Sequence, residues 1–190
     1  MALVKQVRNS KQQFGWVAIL LHWIAALAII GMYPLGLYIV SLSYFDPGYR
    51  LYPDIHRSIG ILLAVLILLR LLWRLINPSP MSLSHLRWER IAASVGHIAL
   101  YMLVLVVLFS GYMLSTADGR SISVFNWFSV PAIPALATRQ EELAGTVHFY
   151  AATGLIVMAS IHALAALKHH FINRDNTLRR ILGLDLENTR

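Results

Sequence analysis

The sequence predicts an all-α membrane protein: an up-down-up-down bundle of four transmembrane helices with both termini in the cytoplasm. Three observations predict it. Of the 190 residues, 57% are hydrophobic and only 13% charged, about half the charged share of a soluble domain. The apolar residues gather in four stretches, each long enough for the roughly 20-residue crossing of a bilayer. Most basic residues lie to one side of those stretches. The length suits a single integral-membrane domain, 1–190.

The first span, about 14–40, reads FGWVAILLHWIAALAIIGMYPLGLYIV, and no Asp, Glu, Lys or Arg occurs between Lys11 and Asp46. It is too long for the apolar core of a signal peptide, and no cleavage pattern precedes it. The second, about 54–76, is centred on IGILLAVLILL; Arg57 lies near its start, and Arg70 and Arg74 near its end, where long side chains reach the interface. The third covers about 91–116 and the fourth about 143–170. No soluble domain, low-complexity tract or repeat interrupts them.

Loop charge orients the spans. Lys5, Arg8 and Lys11 precede the first; Arg70, Arg74, Arg87 and Arg90 flank the second loop; Lys168, Arg174, Arg179, Arg180 and Arg190 end the chain. Only Arg50, Arg57, Arg120 and Arg139 fall on the other side. The positive-inside rule then places both termini in the cytoplasm, and short loops make consecutive helices antiparallel neighbours. The net charge of +7 is thus a topology signal. It lines no soluble face, so the expected partner is the lipid bilayer and not nucleic acid. With no cysteine, disulfides, iron–sulfur clusters and thiolate-bound metals are excluded. Histidine and carboxylate remain as ligands.

His22, His56, His97, His148 and His162 fall in or at the edges of the spans. His85, His169 and His170 fall outside or at the cytoplasmic boundary, where solvation is easy. A lone intramembrane histidine is most often a hydrogen-bonded core residue. Five across four helices, with no buried carboxylate expected, point to function. His148 and His162 are 14 residues apart, about 1400° of rotation and roughly 21 Å of rise, so they share one helix face at opposite membrane levels. With alternating helix directions, His56 stands near the level of His148, and His22 near that of His162. Two layers, each with a pair of imidazoles, is the arrangement that two bis-histidine haems require.

Small and basic residues follow the same offset. Gly36 is 14 residues after His22, and Gly111 is 14 after His97, so each clears space for a macrocycle in the periplasmic layer; plain helix packing is the alternative. Arg70, 14 residues after His56, aims at the cytoplasmic layer, where a haem propionate or quinone carbonyl would accept from it; a snorkelling anchor is the alternative. Zinc fits two separated pairs poorly, because it takes three or four protein ligands. Trp16, Trp23, Trp73, Trp88 and Trp127 read mostly as interfacial belt residues.

The segments LHW around His22, DIHRSIGILL around His56, GHIALY around His97, VHFY around His148 and IHALAALKHHFINRDNTLRRIL at the end resemble the bacterial cytochrome b561 family of small di-haem inner-membrane cytochromes. They touch all four helices, and the terminal segment is the most specific. The resemblance implies two non-covalent haem b groups, with His22 and His162 holding the cytoplasmic iron and His56 and His148 the periplasmic one. His97 also matches the family motif; the spacing leaves open whether it or His162 pairs with His22. The resemblance reading assigns it to a propionate or quinone region with Arg70, Lys168 and His169.

Bis-histidine ligation closes both axial positions, which leaves outer-sphere electron transfer coupled to ubiquinone. The family includes a superoxide oxidase that reduces ubiquinone, and that is the activity the resemblance implies. The alternative is a non-catalytic conduit or anchor subunit for a periplasmic dehydrogenase or hydrogenase. Two features bear on the donor. The expected periplasmic segments oppose four arginines with Asp46, Asp54, Asp118, Glu141 and Glu142, a poor positive funnel for superoxide. The long third loop, DGRSISVFNWFSVPAIPALATRQEE, has the length to receive a partner protein or to cover the periplasmic haem.

Overall fold

In the computed structural model, which describes residues 3–184, the order of elements is α1 (Trp16–Ser41), α2 (Leu51–Ile76), α3 (Arg87–Ser115), β1 (Ile122–Val124), β2 (Phe128–Val130), α4 (Gln140–Phe171) and α5 (Thr177–Ile181). Arg190, counted above among the basic residues of the tail, lies outside the described residues. The four long helices are each apolar and long enough to cross a membrane, so the chain is all-α apart from one short antiparallel hairpin pairing Ile122 with Val130 and Val124 with Phe128.

Helices α2, α3 and α4 begin about one turn earlier than the apolar pattern suggested, because polar residues fill their first turns. Asp54 and Arg57 pair in α2, Glu89 sits in α3, and Glu141 and Glu142 sit in α4. Acidic side chains there complement the partial positive charge of a helix start. Lys168, His169 and His170 in the last turn of α4 do the converse. Helix α1 runs through Pro34 without a break; membrane helices tolerate such a proline where neighbouring groups meet the freed carbonyl.

The chain divides into two compact units, and each long helix contributes to both. The first unit joins the N-terminal parts of α1 and α3 to the C-terminal parts of α2 and α4, the alternation that up-down-up-down order produces. It includes the N-terminal tail and α5. The tail folds back so that Trp16 N donates to the Gln6 carbonyl at 3.0 Å, and Val4 N to that of Gly183 at 2.9 Å. Gly15 permits this return, since a Cβ there would stand 2.2 Å from the Val7 carbonyl oxygen. Trp23 Nε1 donates to the Ile181 carbonyl at 2.9 Å and ties α5 to α1.

The second unit comprises the other halves of the helices with the hairpin loop. Its buried residues include Leu63, Val104, Met113, Val124 and Leu155. Ser58 is also buried, and its hydroxyl accepts from Phe125 N at 3.1 Å and donates to the Ser123 carbonyl at 3.3 Å. One hydroxyl on α2 therefore holds the turn end of the hairpin. Large apolar side chains such as Leu27, Val40, Leu75, Phe109 and Leu164 are exposed, as a lipid-facing surface requires.

Candidate functional site

In the second unit, α2 and α4 bring His56 and His148 together, with ring centres 6.2 Å apart and planes at 76°. His148 Nδ1 lies 2.9 Å from the Val107 carbonyl oxygen. A carbonyl only accepts, so Nδ1 carries the proton and Nε2 keeps its lone pair. Ser110 Oγ stands 3.4 Å from the same nitrogen and is held by its own bond to the Val106 carbonyl at 2.7 Å. The Nδ1 of His56 is buried and has no hydrogen-bond partner among the described residues.

Gly36 and Gly111 are where the neighbouring helices meet these rings. A Cβ at Gly111 would stand 2.9 Å from the His148 ring, and one at Gly36 would stand 3.4 Å from that of His56.

In the first unit, His22, Arg70, His97 and His162 gather from all four helices. The His22 and His162 ring centres are 6.5 Å apart, and those of His97 and His162 are 5.2 Å apart. Arg70 donates to His22 Nδ1 at 2.9 Å. Because a guanidinium has no acceptor, the proton of neutral His22 rests on Nε2 in this arrangement.

Lys168 and His169 belong to another cluster of the first unit, and two expectations are corrected there. The spanning helices do hold a buried carboxylate: Glu89, in the first turn of α3, is buried and accepts from Lys168 and from Ser84 Oγ. Nor is His169 simply solvated, since its Nδ1 meets Asp175 Oδ2 at 2.7 Å. The Nδ1 of His170 is likewise buried. Sequence reasoning missed Glu89 because an acid at a helix start reads as a dipole or cap residue, and Asp175 because it falls in a polar loop. The Lys168 partner of Glu89 comes from 79 positions along the chain. Two tryptophans also depart from the belt reading: Trp23 bonds α5, and Trp73 Nε1 is buried. Trp16, Trp88 and Trp127 are exposed.

The chain is similar to known proteins along almost its whole length. The family model described as prokaryotic cytochrome b561 matches residues 13–184. Cytochrome b561 homolog 2 of Escherichia coli (strain K12) is 47% identical over 176 residues, covering 92% of this chain and 94% of that protein. Cytochrome b561 homolog 1 of the same organism is 30% identical over 187 residues, covering 90% and 97%. The probable superoxide oxidase CybB of Yersinia pestis is 28% identical over 177 residues, covering 90% and 96%. With nearly its whole length matched and four helices fit to cross a bilayer, the chain is a multi-pass inner-membrane protein and belongs to the prokaryotic cytochrome b561 family.

Proposed function

We propose that the chain binds two haem b groups, one in each unit, and passes single electrons from a periplasmic donor to ubiquinone. Family membership makes it a membrane electron-transfer protein that binds haem b; the number of haems, their ligands and the substrates are the proposal. The observation that carries it is the spacing of the histidine pairs. A metal–imidazole bond is about 2 Å, and a ring centre lies about 1 Å beyond the bonding nitrogen, so two axial imidazoles have centres about 6 Å apart. The His56–His148 and His22–His162 separations of 6.2 and 6.5 Å suit that. At 5.2 Å, the His97 and His162 centres are close for such a pair.

The donor set supports the same reading. His148 is held as the tautomer a ligand needs, with Val107 supplying the acceptor that commonly orients a metal-binding imidazole. Gly36 and Gly111 present no Cβ to the His56 and His148 rings. His22 would hold the iron through Nε2 with Arg70 turned to another acceptor and the imidazole proton on Nδ1, and a propionate carboxylate is a stronger acceptor than imidazole. Haem b held by His56 with His148 and by His22 with His162 would supply a one-electron couple, with transfer by an outer-sphere route. Arg70 and His97 in one cluster, and Lys168 and His169 in the other, are the candidates for the propionate and quinone contacts. We place this unit on the cytoplasmic side because its tails and loop carry most of the basic residues.

Superoxide as donor is supported by the name of the related Yersinia pestis protein. The second reading, a conduit for a periplasmic redox protein, is favoured by a different observation: Arg57, Arg120 and Arg139 each pair with an acid, which weakens any positive steering field. The deciding experiment supplies superoxide from an independent source and follows haem reduction and ubiquinone reduction in detergent. Superoxide-dependent reduction well above the uncatalysed rate is expected. Its absence, with a redox protein co-purifying, would establish the conduit. A pyridine haemochrome assay should give about two haems per chain, as two bis-histidine sites require; one or none overturns the pairing.

A further inference from the structure

We propose that the N-terminal tail, the α2–α3 loop and α5 form a binding site for an anionic phospholipid. Arg8, Lys11 and Arg180 meet its phosphate, and the Trp16, Leu20 and Ile24 face of α1 meets its acyl chains. The tail is built as a fixed shelf. Asn9 Oδ1 accepts from Gly15 N at 2.9 Å, and Asn9 Nδ2 donates to the Pro78 carbonyl at 3.0 Å. Ser10 Oγ accepts from Gln12 N at 3.3 Å and from Gln13 N at 3.0 Å. The Gln6 carbonyl holds Trp16 N, and the Val7 carbonyl lies against Gly15. Residues 6–8 therefore run beside the first residues of α1, at the level where that span enters the membrane.

Two further hydrogen bonds gather the cations. Met81 N donates to the Lys11 carbonyl at 2.9 Å, and Arg180 Nη1 donates to the Met81 carbonyl at 2.8 Å. Lys11 and Arg180 thus share the backbone of one loop residue. Arg8 and Lys11 are exposed, and among the described residues no carboxylate pairs with either. The arginines Arg57, Arg120 and Arg139 of the second unit are each neutralised by an acid instead. Asp175 lies near enough to act on Arg180, but its oxygens are engaged by Thr177 N and His169. Arg180 Nε is buried and has no hydrogen-bond partner among the described residues, an unmet donor that costs stability. A small rotation of the guanidinium turns that edge to two oxygens of a phosphate, which bind it in parallel.

Apolar side chains mark the occupant as a lipid. Val7 on the tail and Met81 on the loop are exposed among these cations. Trp16, Leu20 and Ile24 are exposed at every fourth residue of α1, so they follow one another down a single face. That face continues the lipid-exposed surface of the helix. A soluble anion uses the cations and leaves the apolar stripe unmatched, whereas a diacyl phosphate uses both. Basic pockets at the ends of membrane helices bind anionic headgroups in this way. Phosphatidylcholine carries its own cation beside its phosphate and gains less from three more.

The test uses the full-length, haem-loaded protein in a neutral detergent. Native mass spectrometry counts lipid adducts during titration with phosphatidylglycerol, cardiolipin or phosphatidylcholine. The first adduct of either anionic lipid should form at least about tenfold more tightly than that of phosphatidylcholine. Arg8→Gln and Lys11→Gln should each weaken it about fivefold, the scale of one basic side chain at an anionic surface. Arg139→Gln removes the same charge from the second unit and should leave it unchanged. The Soret spectrum and thermal midpoint verify that each variant is folded, and the selectivity of the wild type tests the site without any variant. Equal affinity for anionic lipid and phosphatidylcholine overturns the site, as does equal weakening by Arg8→Gln, Lys11→Gln and Arg139→Gln. Displacement of phosphatidylglycerol by excess glycerol phosphate, the headgroup without its chains, overturns the assignment to lipid.

Discussion

At the scale of single residues, the paired histidines were legible because a helix writes its geometry into sequence spacing. A 14-residue offset keeps a face and changes a level, so His148 and His162 announced two layers. Gly36 and Gly111 then fell where the His56 and His148 rings meet a neighbouring helix. The partners that orient a ring were not legible. Val107 reaches His148 through its carbonyl, which every residue type possesses. The two glycines differ in a way that makes a prediction. A Cβ at Gly111 would lie 2.9 Å from a ring already tied to Val107, whereas at Gly36 it would lie 3.4 Å from His56. Forcing extra volume into a packed site costs about 1–3 kcal/mol, and at Gly111 that cost falls on a proposed ligand. Gly111→Ala should lose the low-spin haem of that unit and Gly36→Ala should keep it. Haemochrome content and the Soret spectrum check this; equal loss in both variants would show that the clearance serves only helix packing.

At the scale of elements, the four long helices were plain because an uncharged apolar run of some 20 residues matches the bilayer's thickness and greatly exceeds a soluble strand. The hairpin and α5 were not, since tertiary contacts make them. The hairpin turns through Phe125 and Asn126, both left-handed with φ of 47° and 60°, and lacks the Asn-Gly pair that marks such turns. The Ser58 hydroxyl bonds Phe125 N and the Ser123 carbonyl. Helix α5 is only 5 residues long, far too short to form alone. It relies on Trp23 and on Asp175. Burial pushes the Asp175 carboxyl up, but the hydrogen bonds from Thr177 and the contact with His169 outweigh it and hold the group below the usual aspartate value. A depressed value in the folded state stabilises above the unfolded value and is lost as pH falls through the folded one. The α5 contact should therefore hold from neutral pH through the ordinary carboxylate range and loosen only below it. The Trp23 indole reports this directly, as the fluorescence difference between wild type and Trp23→Phe across a pH titration. A transition near neutral pH would show that another group governs α5.

At the scale of the whole molecule, the bilayer does what a large core does elsewhere. Large apolar side chains remain exposed along every long helix, so the chain is specified by where lipid begins and ends as much as by internal packing. That is why composition told so much, and why buried Glu89 escaped notice: its partners include Lys168 at the end of α4 and Asn173 in the following loop. We predict cytoplasmic termini from the basic residues, because lysine and arginine resist transfer across the membrane during insertion. The absence of cysteine makes the prediction clean to test, since any introduced thiol is the sole target of a maleimide. Phe45→Cys and Ser129→Cys should react with a membrane-impermeant maleimide applied outside intact spheroplasts. Gln12→Cys and Ser82→Cys should react only after the membrane is permeabilised. All four positions are exposed, so burial within the protein does not account for a missing signal. The reverse pattern would put the Arg70 and Lys168 clusters on the periplasmic side and move quinol chemistry, with its proton uptake, to the opposite face of the membrane.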